Sequence, residues 1–306
     1  MFQVPSLLHG QAEARGYRGP RGQVQAEIRQ KALIFRLPVN TGADRGRARG
    51  RALCVWAVAA VLWAGGTAAR ADCPADRIDE YVRVRHVHDG DTVELSDGRR
   101  LRFIGINTPE LARDGRPAEP LAKAARDALR GLLKTGGRLG LRYDRERRDR
   151  YGRLLAHVYL DPAHSVTARL LADGYGAVVA VPPNLWNLAC YRREEAAARR
   201  AGRGLWGLAY YRPLSARRLP RHAQGFRLVT GRVSRVGESR HSLWLNLEGG
   251  MALRIARKDL IYFRGFDAAR WQGRRVEARG WLRLYRGRPV MQIRHPFMLR
   301  ALTGQD

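Results

Sequence analysis

Apolar residues fall in short runs whose spacing switches between two and about 3.6, and each switch marks an element. Val82, Val84 and Val87 open a strand, Thr92–Leu95 makes a second and Arg99–Ile106 a third, with Asp97-Gly98 as the hairpin signal between the last two. Leu101, Phe103, Ile104 and Ile106 make both sides of the third strand apolar, which predicts burial on both faces. The stripe Leu121, Ala125, Leu129 and Leu132 predicts a helix over Glu119–Lys134, with Pro120 in its first turn. Leu139, Leu141 and Tyr143 alternate as a fourth strand, and Leu154–Leu160 is a fifth after the charged loop Asp144–Arg153. A short helix over Val166–Asp173 stops at Gly174, a proline-containing loop covers Val181–Asn184, and a helix over Tyr191–Ala201 stops at Gly202. Five strands, one helix between the third and fourth and helices after the fifth predict a small five-stranded barrel of the OB type over residues 78–210.

A second all-β pattern follows. Residues 211–224, with the basic and irregular Pro213–Pro220, read as a linker. Strands are expected over Arg227–Val236, Ser242–Leu247, the alternating Met251, Leu253 and Ile255, then Val276–Trp281 and Pro289–Ile293, with a turn at Trp271–Arg275. The fold class is therefore mainly β with helices: an OB-fold barrel followed by a second OB-like β-barrel over residues 225–303. Trp244, Trp271, Trp281 and Tyr285 sit among many arginines in that second barrel. Such aromatics either fill the core or serve as stacking platforms for single strands, and the pattern leaves both open.

The formal net charge is +29, and all but four of the basic residues are arginine. A field of this sign attracts polyanions, nucleic acid first and acidic surfaces second. Arginine richness also follows from genomic base composition, so charge names a class of partner and no chemistry. Residues 45–71 read as a secretory signal: Arg45, Arg47, Arg49 and Arg51 precede the apolar run Ala52–Ala64, and Ala69-Arg70-Ala71 supplies a cleavage site. The apolar run is too short for a bilayer core. Export to the periplasm or beyond is expected, without a stable membrane anchor; an uncleaved short anchor is the alternative. Residues 1–44 read as a disordered or misassigned leader. Cys54 lies inside the signal, leaving Cys73 and Cys190 as an even pair that favours a disulfide in an exported chain.

The chemistry concentrates between Val87 and Arg153. Arg102 stands in an otherwise apolar strand, where arginine requires a partner, either a carboxylate of the protein or an anionic ligand. Singly, Asp89-Gly90-Asp91-Thr92 reads as a turn, Thr108-Pro109-Glu110 as a loop start and Asp149–Arg153 as a solvated charge run. Together and in this order, Asp89-Gly90-Asp91-Thr92-Val93, Arg102, Asn107-Thr108-Pro109-Glu110 and Asp149-Arg150-Tyr151-Gly152-Arg153 resemble the staphylococcal nuclease (thermonuclease) family. The resemblance covers about residues 80–207 and includes Gly204-Leu205-Trp206.

The resemblance implies a calcium (Ca2+) site with Asp91 as ligating carboxylate, Asn107 where the family usually has a second aspartate, and the Thr108 carbonyl. It implies Glu110 as general base, Arg102 and Arg153 on the scissile phosphate, and Arg150 and Tyr151 beside the substrate. The implied activity is calcium-dependent hydrolysis of DNA and RNA phosphodiesters with low sequence specificity, by a monomer. Elementary chemistry agrees. Two guanidiniums can grip and neutralise a phosphodiester, a hard cation takes oxygen ligands, and a carboxylate can take a proton from water. Two departures stand out. Asn107 removes a negative charge from the cation site, and Ala177–Pro183 lacks the tyrosines the family's best-known member places near the nucleotide. The rival readings are a non-catalytic nucleic-acid-binding protein that kept the fold, and an envelope protein whose barrels bind an acidic surface.

Overall fold

The structure, a computed structural model, describes residues 73–113, 115–133, 138–220 and 223–303. The leader read over 1–44 and the signal read over 45–71 lie outside the described residues. The first barrel starts with β1 (Glu80–Val87), β2 (Thr92–Leu95) and β3 (Arg100–Phe103), joined antiparallel in that order. The third expected strand does not run through to Ile106. It breaks at Gly105, whose φ is 87° and where a Cβ would stand 2.5 Å from the Tyr191 ring, and resumes as β4 (Ile106–Asn107). An apolar run gives no sign of such a break, because its residues stay buried on either side of it.

Helix α1 (Ala122–Leu133) begins after the expected start, since Leu121 takes a φ of 68° and leaves Pro120 outside the first turn. Ala122, Ala125 and Leu129 form its buried stripe. Strand β5 (Arg138–Arg142) pairs with β1 and with β6 (Leu154–Asp161), and a parallel pairing of β3 with β6 closes the ring. The circuit β1-β2-β3-β6-β5 is the OB connectivity. Strand β5 is buried at four of its five positions, Arg142 among them, where Asp76 binds the guanidinium at 3.0 Å and Trp186 lies 3.9 Å beneath it. After β7 (His164–Ser165), the Ser165 hydroxyl accepts from the Ala168 N–H and caps α2 (Val166–Ala172). Strand β8 (Ala177–Val178) pairs with β4, and α3 (Leu188–Arg200) packs on α2.

The stretch read as a linker belongs in part to the second sheet. Strand β9 (Leu214–Ser215) pairs parallel with β10 (Gly225–Ser239), and Ala216 is buried against Gly231, where a Cβ would stand 2.9 Å from it. The second barrel continues with β11 (Ser242–Leu247), β12 (Ala252–Ala256), β13 (Arg275–Tyr285), β14 (Arg288–Gln292) and β15 (Leu299–Ala301). Pairings β10–β11, β11–β12, β12–β14, β14–β13 and β13–β10 repeat the strand circuit of the first barrel. Leu243, Leu245 and Leu247 of β11 point inward with Leu253, Ile255, Val276, Ala278 and Met291. Trp271 stacks on Phe266, and Trp281 packs edge-on against Phe226, so two of the four singled-out aromatics serve packing.

Among the described residues three guanidinium–carboxylate pairs join the two domains: Arg227 with Glu119, and two on α3. Arg279 on β13 reaches both Glu195 oxygens on α3 at 2.8 and 2.7 Å, and Arg199 on α3 forks onto Glu277 at 3.0 and 2.8 Å. Both Glu195 and Arg279 are buried. Cys73 and Cys190 form the expected disulfide, with Cα atoms 5.7 Å apart and a sequence separation of 117 residues. In the chain-entropy picture a closed loop of this length stabilises by about 3–5 kcal/mol. Cys190→Ser is therefore expected to lower stability by about that amount, read as a drop in the urea midpoint, with the wild type in reductant behaving like the mutant. Among the described residues no helix is long and apolar enough to cross a membrane.

Candidate active site

The acidic turn after β1 is folded by its own side chains. Asp91 N–H donates to Asp89 Oδ1 at 2.9 Å, and His88 N–H to the Thr92 carbonyl at 3.0 Å. Gly90 lets the turn approach the Thr108 segment, since a Cβ there would stand 2.8 Å from Thr108 Cγ2. Asp91 is thereby carried into the interior. Its Oδ2 accepts from the Thr108 N–H at 2.7 Å and the Thr108 hydroxyl at 3.0 Å, and its Oδ1 accepts from the Thr92 hydroxyl at 3.1 Å. Burial pushes the Asp91 carboxyl well above the ordinary carboxylate range, and the Arg102 guanidinium opposes that shift.

Strand β3 aims Arg102 at this carboxylate. Nη1 lies 3.0 Å from Asp91 Oδ1 and 3.0 Å from the Phe103 carbonyl, while Nη2 reaches Asn107 Oδ1 at 3.4 Å. Of the two partners the sequence left open for Arg102, the structure supplies the carboxylate. The break at Gly105 turns Asn107 toward the same point, and its Nδ2 donates to the Thr108 carbonyl at 3.3 Å. Asp91 and Asn107 thus offer a carboxylate and an amide oxygen to one guanidinium, with the Thr108 carbonyl held beside them by the Asn107 amide.

Glu110 follows at the protein surface. Packing around its carboxyl and the nearby Asp91 charge raise it above the ordinary value, while Arg102 and Arg153 pull it down. The two arginines and two acids therefore share one electrostatic neighbourhood. Arg153 is held from behind: Asp149 Oδ1 accepts from its N–H at 3.0 Å and Oδ2 from its Nε at 2.7 Å, with Gly152 at a φ of 77° making the turn. Tyr151 is 68% exposed, its hydroxyl accepts from Arg150 Nη2 at 2.6 Å, and the Arg150 and Arg153 guanidiniums lie 4.7 and 5.6 Å from its ring centre. The structure brings Asp91, Arg102, Asn107 and Thr108 into direct contact; Arg150 and Tyr151 stand on the neighbouring loop.

The sequence reading missed Glu119 and Arg227. Glu119 Oε2 accepts from the Glu110 N–H at 3.1 Å, and the Glu119 N–H donates to the Glu110 carbonyl at 2.9 Å, closing the loop between them. Arg227, on β10 of the second barrel, donates to Glu119 Oε1 at 3.2 Å and to the Tyr210 hydroxyl at 2.8 Å. Phe226 and Leu228 beside it line a small pocket with Asn107 and Pro109. A concavity of about 620 Å³ between Arg77, Arg142, Trp186 and Tyr262 contains none of the residues of the acidic turn or the guanidinium cluster.

Comparison with known proteins bears on this geometry. The family described as staphylococcal nuclease homologue matches residues 100–207. That stretch belongs to the staphylococcal nuclease family. Thermonuclease from Staphylococcus intermedius is 39% identical over 108 residues, 34% of this chain and 63% of that protein. Thermonuclease from Staphylococcus hyicus is 40% identical over 85 residues, 27% of this chain and 50% of the relative. Endonuclease YncB from Bacillus subtilis is 33% identical over 128 residues, 40% of this chain and 60% of the relative. The chain thus spans between half and 63% of the length of these relatives. The matched stretch holds Arg102, Asn107, Thr108, Glu110, Arg150, Tyr151 and Arg153; Asp91 precedes it and joins through the Thr108 and Arg102 contacts. The second barrel lies beyond the match.

Proposed function

We propose that the chain is an exported nuclease that hydrolyses phosphodiester bonds of DNA and RNA with low sequence specificity, acting as a monomer. The observation that carries this reading is the cluster in which Asp91, Arg102 and Asn107 touch, with Glu110 in the field of both arginines. In the proposed mechanism Arg102 and Arg153 grip the non-bridging oxygens of the phosphate and neutralise the charge that grows during attack. Glu110 takes the proton from the attacking water as the water oxygen bonds to phosphorus, while the P–O bond to the leaving sugar oxygen breaks and that oxygen takes a proton from bulk water. Thr108 and Thr92 hold the Asp91 carboxylate in place through their hydrogen bonds. Arg150 and Tyr151, exposed on the loop that carries Arg153, would meet the strand next to the cleaved bond.

The oxygen set suits a hard divalent cation. Asp91, Asn107 and the Thr108 carbonyl are all oxygen donors, and a bound cation would offset the burial that disfavours the charged Asp91 carboxylate. Calcium is the proposed ion; when bound it adds Lewis acidity at the phosphate. Asn107 supplies a neutral oxygen, so binding should be weak. Asn107→Asp is expected to tighten calcium by about tenfold, one added ligand charge in a partly buried site, as read by calorimetry without substrate. Unchanged affinity would mean that residue 107 does not face the ion.

The test of the function is digestion of single- and double-stranded DNA and RNA by the purified chain with calcium, magnesium or chelator. Cleavage of all four polymers with calcium and its loss in chelator are expected. Tight binding without cleavage under every ion would favour the non-catalytic reading instead.

A further inference from the structure

The outer wall of the second barrel has two unlike sides. Along the start of β10 and along β13 it is covered by the nuclease domain: Phe226, Leu228 and Trp281 pack with Ala177, Val179 and Trp206, and Glu277 and Arg279 pair with α3. Along β11, β12 and β14 it carries a different set of residues. Trp244 stands opposite Arg254, and Arg254 opposite Gln292. The next row is Asn246, Ala252, Val290 and Arg283, with Arg235 opposite Asn246 on β10. Tyr285 opposite Arg288 ends the series at the β13–β14 turn.

Residues paired across strands, and residues two apart along a strand, project from the same side of a sheet. The face therefore presents an aromatic at each end and arginines between, in rows about 7 Å apart. Trp244 is half-buried and Tyr285 is 57% exposed. The Arg254 guanidinium lies 5.9 Å from the Trp244 ring centre, and Arg286 lies 5.6 Å from that of Tyr285. Among the described residues Arg235, Arg254, Arg283 and Arg286 have no carboxylate partner, while the nearby acids are taken: Glu238 by Arg257 at 2.8 Å, Glu248 by Arg217 at 3.4 Å and the buried Asp259 by Arg294 at 3.7 Å. A face with guanidiniums free of carboxylates beside partly exposed rings fits a polyanion that also offers flat apolar surfaces. A single strand offers both; a duplex hides its base planes in the stack.

We propose that this face of the second barrel binds single-stranded nucleic acid, with bases stacked on Trp244 and Tyr285 and phosphates met by Arg235, Arg254, Arg283 and Arg286. It is the strand-two and strand-three wall of an OB circuit, flanked by the β10–β11 and β13–β14 turns. The inference rests on the nuclease reading for its purpose, holding a strand beside the cutting site, but not for its test.

The experiment uses the full chain carrying Glu110→Gln in chelator, and reads the anisotropy of labelled oligothymidylate and of a duplex of equal length across a salt series. Trp244→Ala is expected to weaken single-strand binding about tenfold and to leave duplex binding unchanged, and Trp244→Phe to restore most of the loss. Tyr285→Ala, at an exposed turn where folding is not at stake, should act in the same direction. Arg235→Gln with Arg283→Gln should flatten the salt dependence by about 0.7 for each phosphate no longer neutralised. Single-strand binding indifferent to Trp244 and Tyr285, or equal losses for strand and duplex, would overturn the proposal and leave only a diffuse basic surface. The wild-type digestion assay separates the two readings. A chain that binds through Trp244 but never cleaves sinks the nuclease alone, and one that cleaves while ignoring both aromatics sinks this site alone.

Discussion

Glu110→Gln is expected to lower turnover on single-stranded DNA by about 10²- to 10⁴-fold, the range for loss of a general base. Affinity for the same strand, read by anisotropy in chelator, is expected to stay nearly unchanged. The reason lies in how Glu110 is held. Its backbone, not its carboxyl, makes the structural contacts, through the paired hydrogen bonds with Glu119. Replacing the carboxylate by an amide of the same shape keeps those bonds and removes only the proton acceptor. Equal turnover in the mutant would remove Glu110 from the mechanism.

The two arginines are expected to fail differently. Arg153 is partly exposed and is held by Asp149 on its own loop, so Arg153→Ala should leave folding almost untouched while lowering turnover by about 10²- to 10³-fold, the loss seen when one donor to a developing charge is removed. Arg102 is in a different position, because it is the cation beside the buried Asp91. Removing it leaves a buried carboxylate without its partner, which costs about 3–5 kcal/mol. Arg102→Ala should therefore lose both activity and several degrees of melting temperature. A melting curve separates the two mutants before any kinetics are measured. An Arg102→Ala chain as stable as wild type would mean that Asp91 finds another countercharge.

The four motifs of the site could be read from the chain because each is local: a turn, a lone arginine in an apolar strand, a Thr-Pro-Glu and a charged loop. Both barrels were legible for the same reason, since period-two runs separated by glycine turns need no long-range information. The break of the third strand at Gly105 was not, because Ile104 and Ile106 are buried on both sides of it and the hydrophobic pattern runs on unbroken. What turns the chain is the Tyr191 ring, which comes from a distant helix. Glu119 was likewise read only as a helix start. Its partner Arg227 lies 108 residues away, and an ion pair at that separation leaves no periodic trace. Trp244 and Trp281 look alike in composition; only strand pairing tells that one faces outward and the other lies against the neighbouring domain.

The pairing of the barrels has a consequence for how this chain can be divided. Glu195 binds Arg279 with both oxygens and at the same time accepts from the Val178 N–H at 2.7 Å, on the strand that lies beside Asn107. Glu119 stands between Arg227 and the Glu110 backbone in the same way. A fragment cut off at the end of the family match would keep every group proposed to meet phosphate, yet leave two buried or half-buried carboxylates without the cations that neutralise them. The first barrel of this protein is thus not portable: grafted alone onto another carrier, it would need Glu119 and Glu195 redesigned as neutral residues before it could stand by itself.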